Sequence, residues 1–360
     1  MAVKWSWMFG PESALQLNNE MGFAIYNTTT AVNEPSQAFI YSYPGAPTTG
    51  PSARYSWSAD QYLGYLDIPG GAAAPEGWVT VPLYINTNLW SSTATIIKVW
   101  GSDTNDSIYF SVQASGEARL YIDGTVQSPT FTPSGLSYNW NYWALKYSMT
   151  GSTWSASVYL NGVEILSGSK TGGGVQAETV ASARLNGPGT ADRSNYFGQI
   201  ICYDDLTDQA QVPFQYVTRV NPTVDTGVGS PGYGTWAPTG GSSNFKVLSG
   251  SFDSSTYTVN SAASVGNKVV CQVTGALGLV TQLGTTPTSI DGITVHCWAS
   301  GSGHNGFTGL SDDNTTYTSG THITPDINDP TYCFSTDALQ PSDNAVWNAT
   351  SSLYIKYEVS

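Results

Sequence analysis

Two dipeptides, Asp123-Gly124 and Asn161-Gly162, constrain the fold of this chain more than any other feature of the sequence. Each lies between two short runs in which apolar and polar residues alternate. Asp-Gly and Asn-Gly accept the positive φ angles that a type I′ turn requires, so both dipeptides predict tight β-hairpins. A chain that carries two such hairpins among many alternating segments is expected to form antiparallel sheets.

The strand before the second hairpin predicts a sheet with one buried face. Trp143, Leu145 and Tyr147 fall on one face, and the residues between them fall on the other. Trp140, just upstream, is expected to be the large anchor under the sheet. Similar signals recur along the chain without a long amphipathic helix pattern. We expect strands at 4–9, 22–26, 38–43, 62–68, 79–85, 95–100, 108–113, 119–122, 143–147, 156–160, 196–203, 268–273, 277–282, 293–298, 333–335 and 353–359.

The composition supports an all-β chain of two domains. The 360 residues include 22 Tyr, 12 Trp and 11 Phe, which favour strands, and 38 Gly and 19 Pro, which favour turns. The length is sufficient for two hydrophobic cores. The sequence becomes rich in Gly, Pro, Ser and Thr after residue 206. We therefore predict domains at 1–206 and 207–360.

The charge pattern argues against nucleic-acid and membrane partners. The net charge is −14, and the 12 basic residues are scattered singly, so no basic stripe is present to neutralise phosphates. The N-terminal residues lack the apolar run of a signal peptide, and no apolar segment is long enough to form a transmembrane helix. The sequence therefore predicts neither export nor a membrane anchor.

The four cysteines form no Cys-x-x-Cys pair, so the spacing does not predict a zinc site. They are Cys202, Cys271, Cys297 and Cys333. Without an export signal we expect reduced thiols packed on strands, and disulfides are the alternative.

Residues 95–206 resemble the hairpin ladder of laminin-G/concanavalin-like domains. A strand ending in Asp-Gly precedes an aromatic strand, then the run Val158–Gly162, and then a terminal strand from Tyr196 to Asp205. The resemblance implies an N-terminal concanavalin-like jelly-roll sandwich. That fold hosts binding proteins and some glycosidases, so it does not by itself define a function.

The following region is similar to the C-terminal half of a group of tailed-bacteriophage virion proteins. The similarity rests on the run YVTRVNPTVD, the loop Trp236-Ala237-Pro238-Thr239 and the run NFKVLSG. It implies a smaller C-terminal β-sandwich. The chain departs from the pattern after the Trp-containing loop, where the usual acidic run is reduced to Asp253.

The two resemblances together imply a non-enzymatic structural component of a tailed-phage virion, in the head decoration, collar or tail. Such a protein would be assembled in the host cytoplasm, would contact other virion proteins and would form a homo-oligomer. The alternative is a glycan-binding module for attachment to the host surface.

No motif predicts catalysis or a cofactor. Glycosidases of this fold carry carboxylates two residues apart on one strand, and no Glu of this chain has that arrangement. The literal G-x-G-x-x-G at 301–306 precedes a predicted loop instead of a helix, so it does not predict a pyrophosphate site. His296, His304 and His322 lack any accompanying catalytic or metal-binding spacing. We therefore expect no catalytic residue, cofactor or metal ligand.

Oxygen-rich loops at 311–314 and 326–329, and the pair Asp204 and Asp205, offer the ligand type that calcium prefers. The EF-hand spacing is absent, and turn capping by Asp and Asn side chains accounts for these loops.

Paired aromatic residues near the N-terminus are the predicted binding candidates. The pairs Trp5/Trp7 and Tyr55/Trp57 each have a spacing of two, which places both rings of a pair on one face of a strand. Together with Tyr62, they would stack on a sugar ring or anchor a subunit contact. Core filling is the default expectation for all five residues, and sugar stacking or subunit anchoring is the alternative.

Overall fold

All regular elements in the described part of the chain are β-strands. The computed structural model describes residues 3–7, 25–27, 32–33, 38–41, 52–57, 62–67, 74–85, 94–100, 107–113, 115–127, 129–132, 139–171, 180–185, 193–197, 199–207, 222–226, 236–239, 257–260, 264–273, 290–320, 322–326, 331–348 and 351–360. The predicted all-β class is therefore confirmed. None of these ranges holds a helix with the length and apolar character needed to cross a bilayer.

The chain divides into two compact units, Val3–Val217 and Thr218–Ser360. The boundary predicted near residue 207 adjoins residues 208–221, which lie outside the described residues. Its position stays a prediction.

The first unit consists of two antiparallel sheets. Its strands are β1 (Val3–Trp7), β2 (Ile25–Asn27), β3 (Val32–Asn33), β4 (Ala38–Tyr41), β5 (Ser52–Trp57), β6 (Tyr62–Asp67), β7 (Glu76–Ile85), β8 (Ala94–Trp100), β9 (Ser107–Val112), β10 (Ala118–Ile122), β11 (Thr125–Val126), β12 (Trp140–Ser148), β13 (Thr153–Leu160), β14 (Val163–Thr171), β15 (Val180–Leu185), β16 (Arg193–Phe197) and β17 (Ile200–Tyr203). Sheet A has the order β14-β13-β12-β7-β16-β5-β4, and β17 lies between β7 and β1. Sheet B has the order β11-β10-β9-β8-β15-β6-β2-β3.

The two sheets pack face to face around an apolar core. Strand β10 contacts β13 and β14, and β9 contacts β12. Phe110 of sheet B stacks on Trp143 of sheet A with ring centroids 5.2 Å apart. Both rings are fully buried. This is the β-sandwich arrangement that the alternating sequence predicts.

Both predicted hairpin turns are confirmed by their backbone angles. Asp123 and Gly124 have φ values of 47° and 69°, and Asn161 and Gly162 have φ values of 50° and 84°. Asn161 also fixes its own turn: its Oδ1 accepts from the Tyr142 backbone N–H at 2.9 Å, and its Nδ2 donates to Asn141 Oδ1 at 2.9 Å. The side chain therefore ties the hairpin to the neighbouring strand β12.

The core face of β12 is as predicted, but the anchor is a different tryptophan. Trp143, Leu145 and Tyr147 are buried. Trp140 lies an odd number of residues from Trp143, so it falls on the outer face of sheet A, where it is half-buried. The prediction that Trp140 anchors the core is wrong, and Trp143 has that role.

Part of the outer face of sheet A is buried as well. Val3, Trp78, Ala144, Ile201 and Tyr203 form a buried cluster there, against which Tyr159 packs. We call these six residues the closed cluster. The rings of Trp78 and Tyr159 are 5.0 Å apart, and Lys146 Nζ lies 5.1 Å from the Trp78 ring. The sandwich therefore buries a second apolar layer on the outside of one sheet.

The second unit contains a four-stranded sheet and two strand pairs. Its strands are β18 (Val224–Asp225), β19 (Trp236–Thr239), β20 (Tyr257–Asn260), β21 (Lys268–Val273), β22 (Ile293–Ala299), β23 (Gly306–Ser311), β24 (Thr331–Asp337) and β25 (Leu353–Val359). The sheet order is β18-β21-β25-β23, and the pairs are β19-β20 and β22-β24. Val273, Val295, Leu310, Trp347 and Leu353 form its core. The strand predicted at 277–282 lies outside the described residues.

The G-x-G-x-x-G match at 301–306 runs into strand β23. The prediction of a loop directly after this match is wrong for residues 306–311, which form a strand. The described residues 301–320 hold no helix, and the expectation that the match binds no pyrophosphate stays a prediction.

Candidate binding surface

The structure places the five sequence-predicted binding residues on three strands. Trp5 lies on β1 and is fully buried, opposite Cys202 of β17. Its indole fills the sandwich core and is inaccessible to a ligand, so the prediction that Trp5 is a surface contact is wrong.

The other four candidates stay predictions, because their side chains lie outside the described part of the chain. Trp7 is on β1, Tyr55 and Trp57 are on β5, and Tyr62 is on β6. Strand β5 belongs to sheet A and β6 to sheet B. The backbone therefore does not bring Tyr62 onto the same sheet as Tyr55 and Trp57.

A different set of aromatic residues forms a described surface on the outer face of sheet B. In β8, β9 and β10 the core-facing residues are buried, among them Val99, Phe110 and Leu120. The residues between them point away from the core; Ser107 and Ser111 are buried there, and others remain partly exposed. Five of these outward residues, which we call the tyrosine platform, are Lys98, Trp100, Tyr109, Arg119 and Tyr121.

The centre of the platform is a stacked pair of tyrosine rings. Tyr109 and Tyr121 are directly opposite each other on β9 and β10. Their ring centroids are 4.5 Å apart and their planes differ by 6°. Because opposite residues in an antiparallel pair have their Cβ atoms about 4.5–5.5 Å apart, the sheet register itself produces this stacking.

A lysine side chain extends the platform towards β8. Lys98 is opposite Tyr109 in the register, and its Nζ lies 5.8 Å from the Tyr109 ring centroid and 5.6 Å from that of Trp100. Both distances are within the range in which an ammonium is attracted to an aromatic face. The ammonium therefore lies beside two rings of the platform.

An oriented guanidinium lies on the other side of the platform. Arg119 donates from Nε to Glu117 Oε1 at 3.2 Å and from Nη2 to Glu117 Oε2 at 3.1 Å. This two-pronged contact holds the guanidinium plane in one orientation. The hydrogen bonds that Arg119 donates lower the pKa of Glu117 and raise the pKa of Arg119, so both groups are charged at neutral pH.

The phenol of Tyr109 is neutral at neutral pH. Burial raises its pKa above the ordinary value, and the neighbouring Tyr121 raises it further. A neutral phenol both donates and accepts a hydrogen bond. The platform thus combines flat apolar rings with hydroxyl, ammonium and guanidinium groups at their edges.

Turn capping, the expected role of the acidic loop at 311–314, is confirmed by its hydrogen bonds. Asp313 Oδ1 accepts from the backbone N–H groups of Thr315 and Thr316, at 2.7 Å each, and from Ser311 Oγ at 2.9 Å. The Thr315 hydroxyl is the largest contributor to the lowered pKa of Asp313. Among the described residues, no three His, Cys, Asp or Glu side chains are grouped to hold a metal ion.

The sequence contains a signal for the platform, but it is a weak one. The runs SIYFSV and ARLYI alternate, so each tyrosine can be assigned to the outward face from its own strand. That the two tyrosines meet depends on the register between β9 and β10, which no Asn-Gly or Asp-Gly turn specifies.

Comparisons with known proteins give likenesses to solved structures only. No protein-family model and no curated protein sequence matches the chain. The chain is similar to the receptor-binding domain of botulinum neurotoxin type G, with 9% identity, a TM-score of 0.35, and coverage of 53% of this chain and 49% of that one. It thus spans about half the length of that toxin domain.

Two enzymes are among the other likenesses. The catalytic domain of an endo-1,3-β-glucanase (laminarinase) from Thermotoga petrophila RKU-1 has 11% identity and a TM-score of 0.41, with coverage of 56% of this chain and 97% of that chain. A sialidase from Trypanosoma rangeli has 13% identity and a TM-score of 0.32, with coverage of 48% and 31%. We assign neither a ligand nor a reaction to this chain from these likenesses.

Proposed function

We propose that this protein is a carbohydrate-binding β-sandwich and that the tyrosine platform is its binding surface. The observation that carries the proposal is the parallel pair of partly exposed rings, Tyr109 and Tyr121, flanked by Lys98 and by Arg119. A pyranose ring has apolar C–H faces and hydroxyl edges. Tyrosine and tryptophan rings offer an apolar body with a polar end, which complements such a molecule.

The polar groups at the platform edge would orient the sugar. The guanidinium held by Glu117 and the Lys98 ammonium are donors without acceptor capacity, and the tyrosine hydroxyls are both. A few fixed polar groups beside an apolar surface are the usual composition of a small-molecule site. Stabilisation of the sheet by cross-strand ring stacking is compatible with this role, because stacking covers one face of each ring.

The proposal is tested with the full-length protein on an array of bacterial and animal glycans, followed by calorimetry with the best-bound oligosaccharide. We expect Tyr109→Ala and Tyr121→Ala each to weaken binding about tenfold or more, which corresponds to about 1.4 kcal/mol. Tyr121→Phe is expected to retain most of the affinity, since the ring remains. Tyr142→Ala, at a half-buried tyrosine on the outer face of sheet A, is the matched control.

The array and the variants distinguish two failures. Absence of binding to every glycan on the array would contradict carbohydrate binding itself. Binding that Tyr109→Ala and Tyr121→Ala both retain at wild-type affinity would move the site away from the platform. A reducing-end assay on each bound glycan tests the expectation that the protein is not an enzyme, because hydrolysis would release new reducing ends.

A role in a tailed-phage particle, with other virion proteins and further copies of this chain as partners, stays a prediction that rests on the sequence resemblance. Gold-labelled antibody microscopy of intact particles tests it. Labelling of the tail or its tip, together with glycan binding, would indicate that the protein attaches the particle to the host surface. Protein found only free in the lysate would contradict the virion role and leave the carbohydrate proposal standing.

A further inference from the structure

We propose that Cys297 and Cys333 are a redox-active pair that forms a cross-strand disulfide by exchange with a small disulfide such as oxidised glutathione. The site is in the second unit and is independent of the tyrosine platform. All four cysteines are free thiols in the structure.

The sheet register places the two residues face to face. Strands β22 and β24 are antiparallel, and Cys297 is directly opposite Cys333. Opposite residues in such a pair have Cα atoms about 4.5–5.5 Å apart, and their side chains point to the same side. A disulfide requires Cα atoms about 4.4–6.8 Å apart, so the backbone already satisfies it.

The two thiols contact each other and differ in accessibility. A hydrogen bond with Cys297 is the main cause of the raised pKa of Cys333, and burial adds to it. Cys333 is 1% exposed, whereas Cys297 is only half-buried. Cys297 Sγ also lies 3.7 Å from the Trp298 carbonyl oxygen. An external disulfide can therefore reach Cys297 first, and Cys333 is held next to it as the resolving thiol.

The exchange balances in two steps. The Cys297 thiolate attacks one sulfur of the small disulfide, which forms a mixed disulfide and releases one small thiolate. The Cys333 thiolate then attacks Cys297 Sγ, which forms the Cys297–Cys333 bond and expels the second small thiolate. The two protein thiols are oxidised, and their two protons pass through solvent to the two released thiolates, so the small disulfide is reduced to two thiols.

The other two cysteines serve as internal controls. Cys202 is on β17 in the first unit, is fully buried, and its pKa is raised by burial. Cys271 is on β21, opposite Ile355 of β25; burial is the main cause of its raised pKa, and the nearby Asp225 and Cys297 add to it. Neither has a cysteine opposite it in its sheet register, so neither is expected to form a disulfide in the folded chain.

The test incubates the folded full-length protein with oxidised glutathione and then alkylates it with N-ethylmaleimide in denaturant. The reduced protein is expected to carry four adducts. The oxidised protein is expected to carry two adducts, and peptide mapping should find the peptides that contain Cys297 and Cys333 joined by a disulfide. Cys202→Ser and Cys271→Ser should preserve the linkage, whereas Cys297→Ser and Cys333→Ser should abolish it.

Thermal unfolding of the wild-type protein, before and after oxidation, gives a second test. The disulfide closes a long loop, so oxidation is expected to raise the melting temperature of the second unit by about 10 °C, and a reductant should reverse the shift. Four adducts after oxidation, a glutathione adduct that persists on Cys297, or a linkage through Cys271 would each overturn the proposal.

Discussion

The outer faces of the two sheets of the first unit carry similar residues in different surroundings. The closed cluster on sheet A and the tyrosine platform on sheet B both contain aromatic rings on adjacent strands, and each has a lysine ammonium near a ring. Trp78 of the closed cluster is 1% exposed, whereas Tyr109 and Tyr121 of the platform retain exposed surface. Aromatic content on an outward face therefore does not identify a binding surface, because the covering of that face decides whether a ligand can reach it.

The two faces also stabilise the fold by different amounts. A fully buried aromatic ring contributes through the large apolar area that it removes from water. A partly exposed cross-strand pair contributes about 0.2–1 kcal/mol through contact with its neighbour. Substitutions on the two faces should thus separate stability from binding.

The largest expected effect is the loss of stability caused by a substitution in the closed cluster. Trp78→Ala should lower the free energy of unfolding by about 3–5 kcal/mol, because it removes a buried ring and leaves a cavity. Trp100→Ala, at a half-buried tryptophan of the platform, is the matched control and should cost clearly less. Urea unfolding of both variants measures the difference. Equal losses would show that the two faces are covered to the same extent.

A smaller effect is expected from adding volume to the closed cluster. Ala144 is 1% exposed and lies opposite Thr80 and Tyr159, so Ala144→Leu should destabilise the fold by about 1–3 kcal/mol through overpacking. The exposed Thr125 on β11 provides the control, since Thr125→Leu should change stability by less than about 0.5 kcal/mol. A neutral Ala144→Leu variant would mean that this face has room for a larger side chain.

The smallest expected effect is a shift in titration on the platform. Burial is the main cause of the raised pKa of Tyr109, and Tyr121 is the second cause. Tyr121→Phe keeps the ring and removes the hydroxyl group, so the pKa of Tyr109 should fall part of the way towards its ordinary value. A pH titration of ¹³C-labelled tyrosine followed by NMR measures this change. An unchanged pKa would contradict the stacked arrangement.

The same pKa predicts a direction for stability at high pH. The folded-state pKa of Tyr109 is above the ordinary value of 10.0 that the unfolded chain has. The corresponding stabilisation is therefore fully present below that ordinary value, and it is lost as the pH rises through the folded-state pKa.

Local sequence signals predicted the strands and turns but not the surroundings of the sheet faces. The alternation around Trp143 and the two X-Gly turns follow from backbone geometry within a few residues, so the sequence contains them. The alternation around Trp143 predicts that Ala144 lies on the outward face, and it does. Its burial depends on Val3 and Tyr203, which are distant in sequence and meet it only through the sheet order.

The candidate site illustrates the same limit. The pair Trp5/Trp7 has the spacing of a surface pair, but β1 joins sheet A through β17, and this pairing places Trp5 in the core. The facing of Tyr109 and Tyr121 depends on the register of β9 and β10, and that of Cys297 and Cys333 depends on the register of β22 and β24. Non-local registers of this kind are set by packing and are not encoded in either strand alone.

The first unit also has a contact that connects the last strand of sheet A, β14, with the turn between β10 and β11 of sheet B, at one edge of each sheet as the described strands define them. Lys170 of the edge strand β14 donates to the Asp123 backbone oxygen at 2.9 Å and forms an ion pair with the Asp123 carboxylate, in the turn between β10 and β11. Gly168 makes the approach possible, because a Cβ there would meet the Gln127 side chain at 2.7 Å. Strand β14 and the turn between β10 and β11 should therefore open together as one cooperative unit, and their amide protons should exchange with deuterium at similar rates.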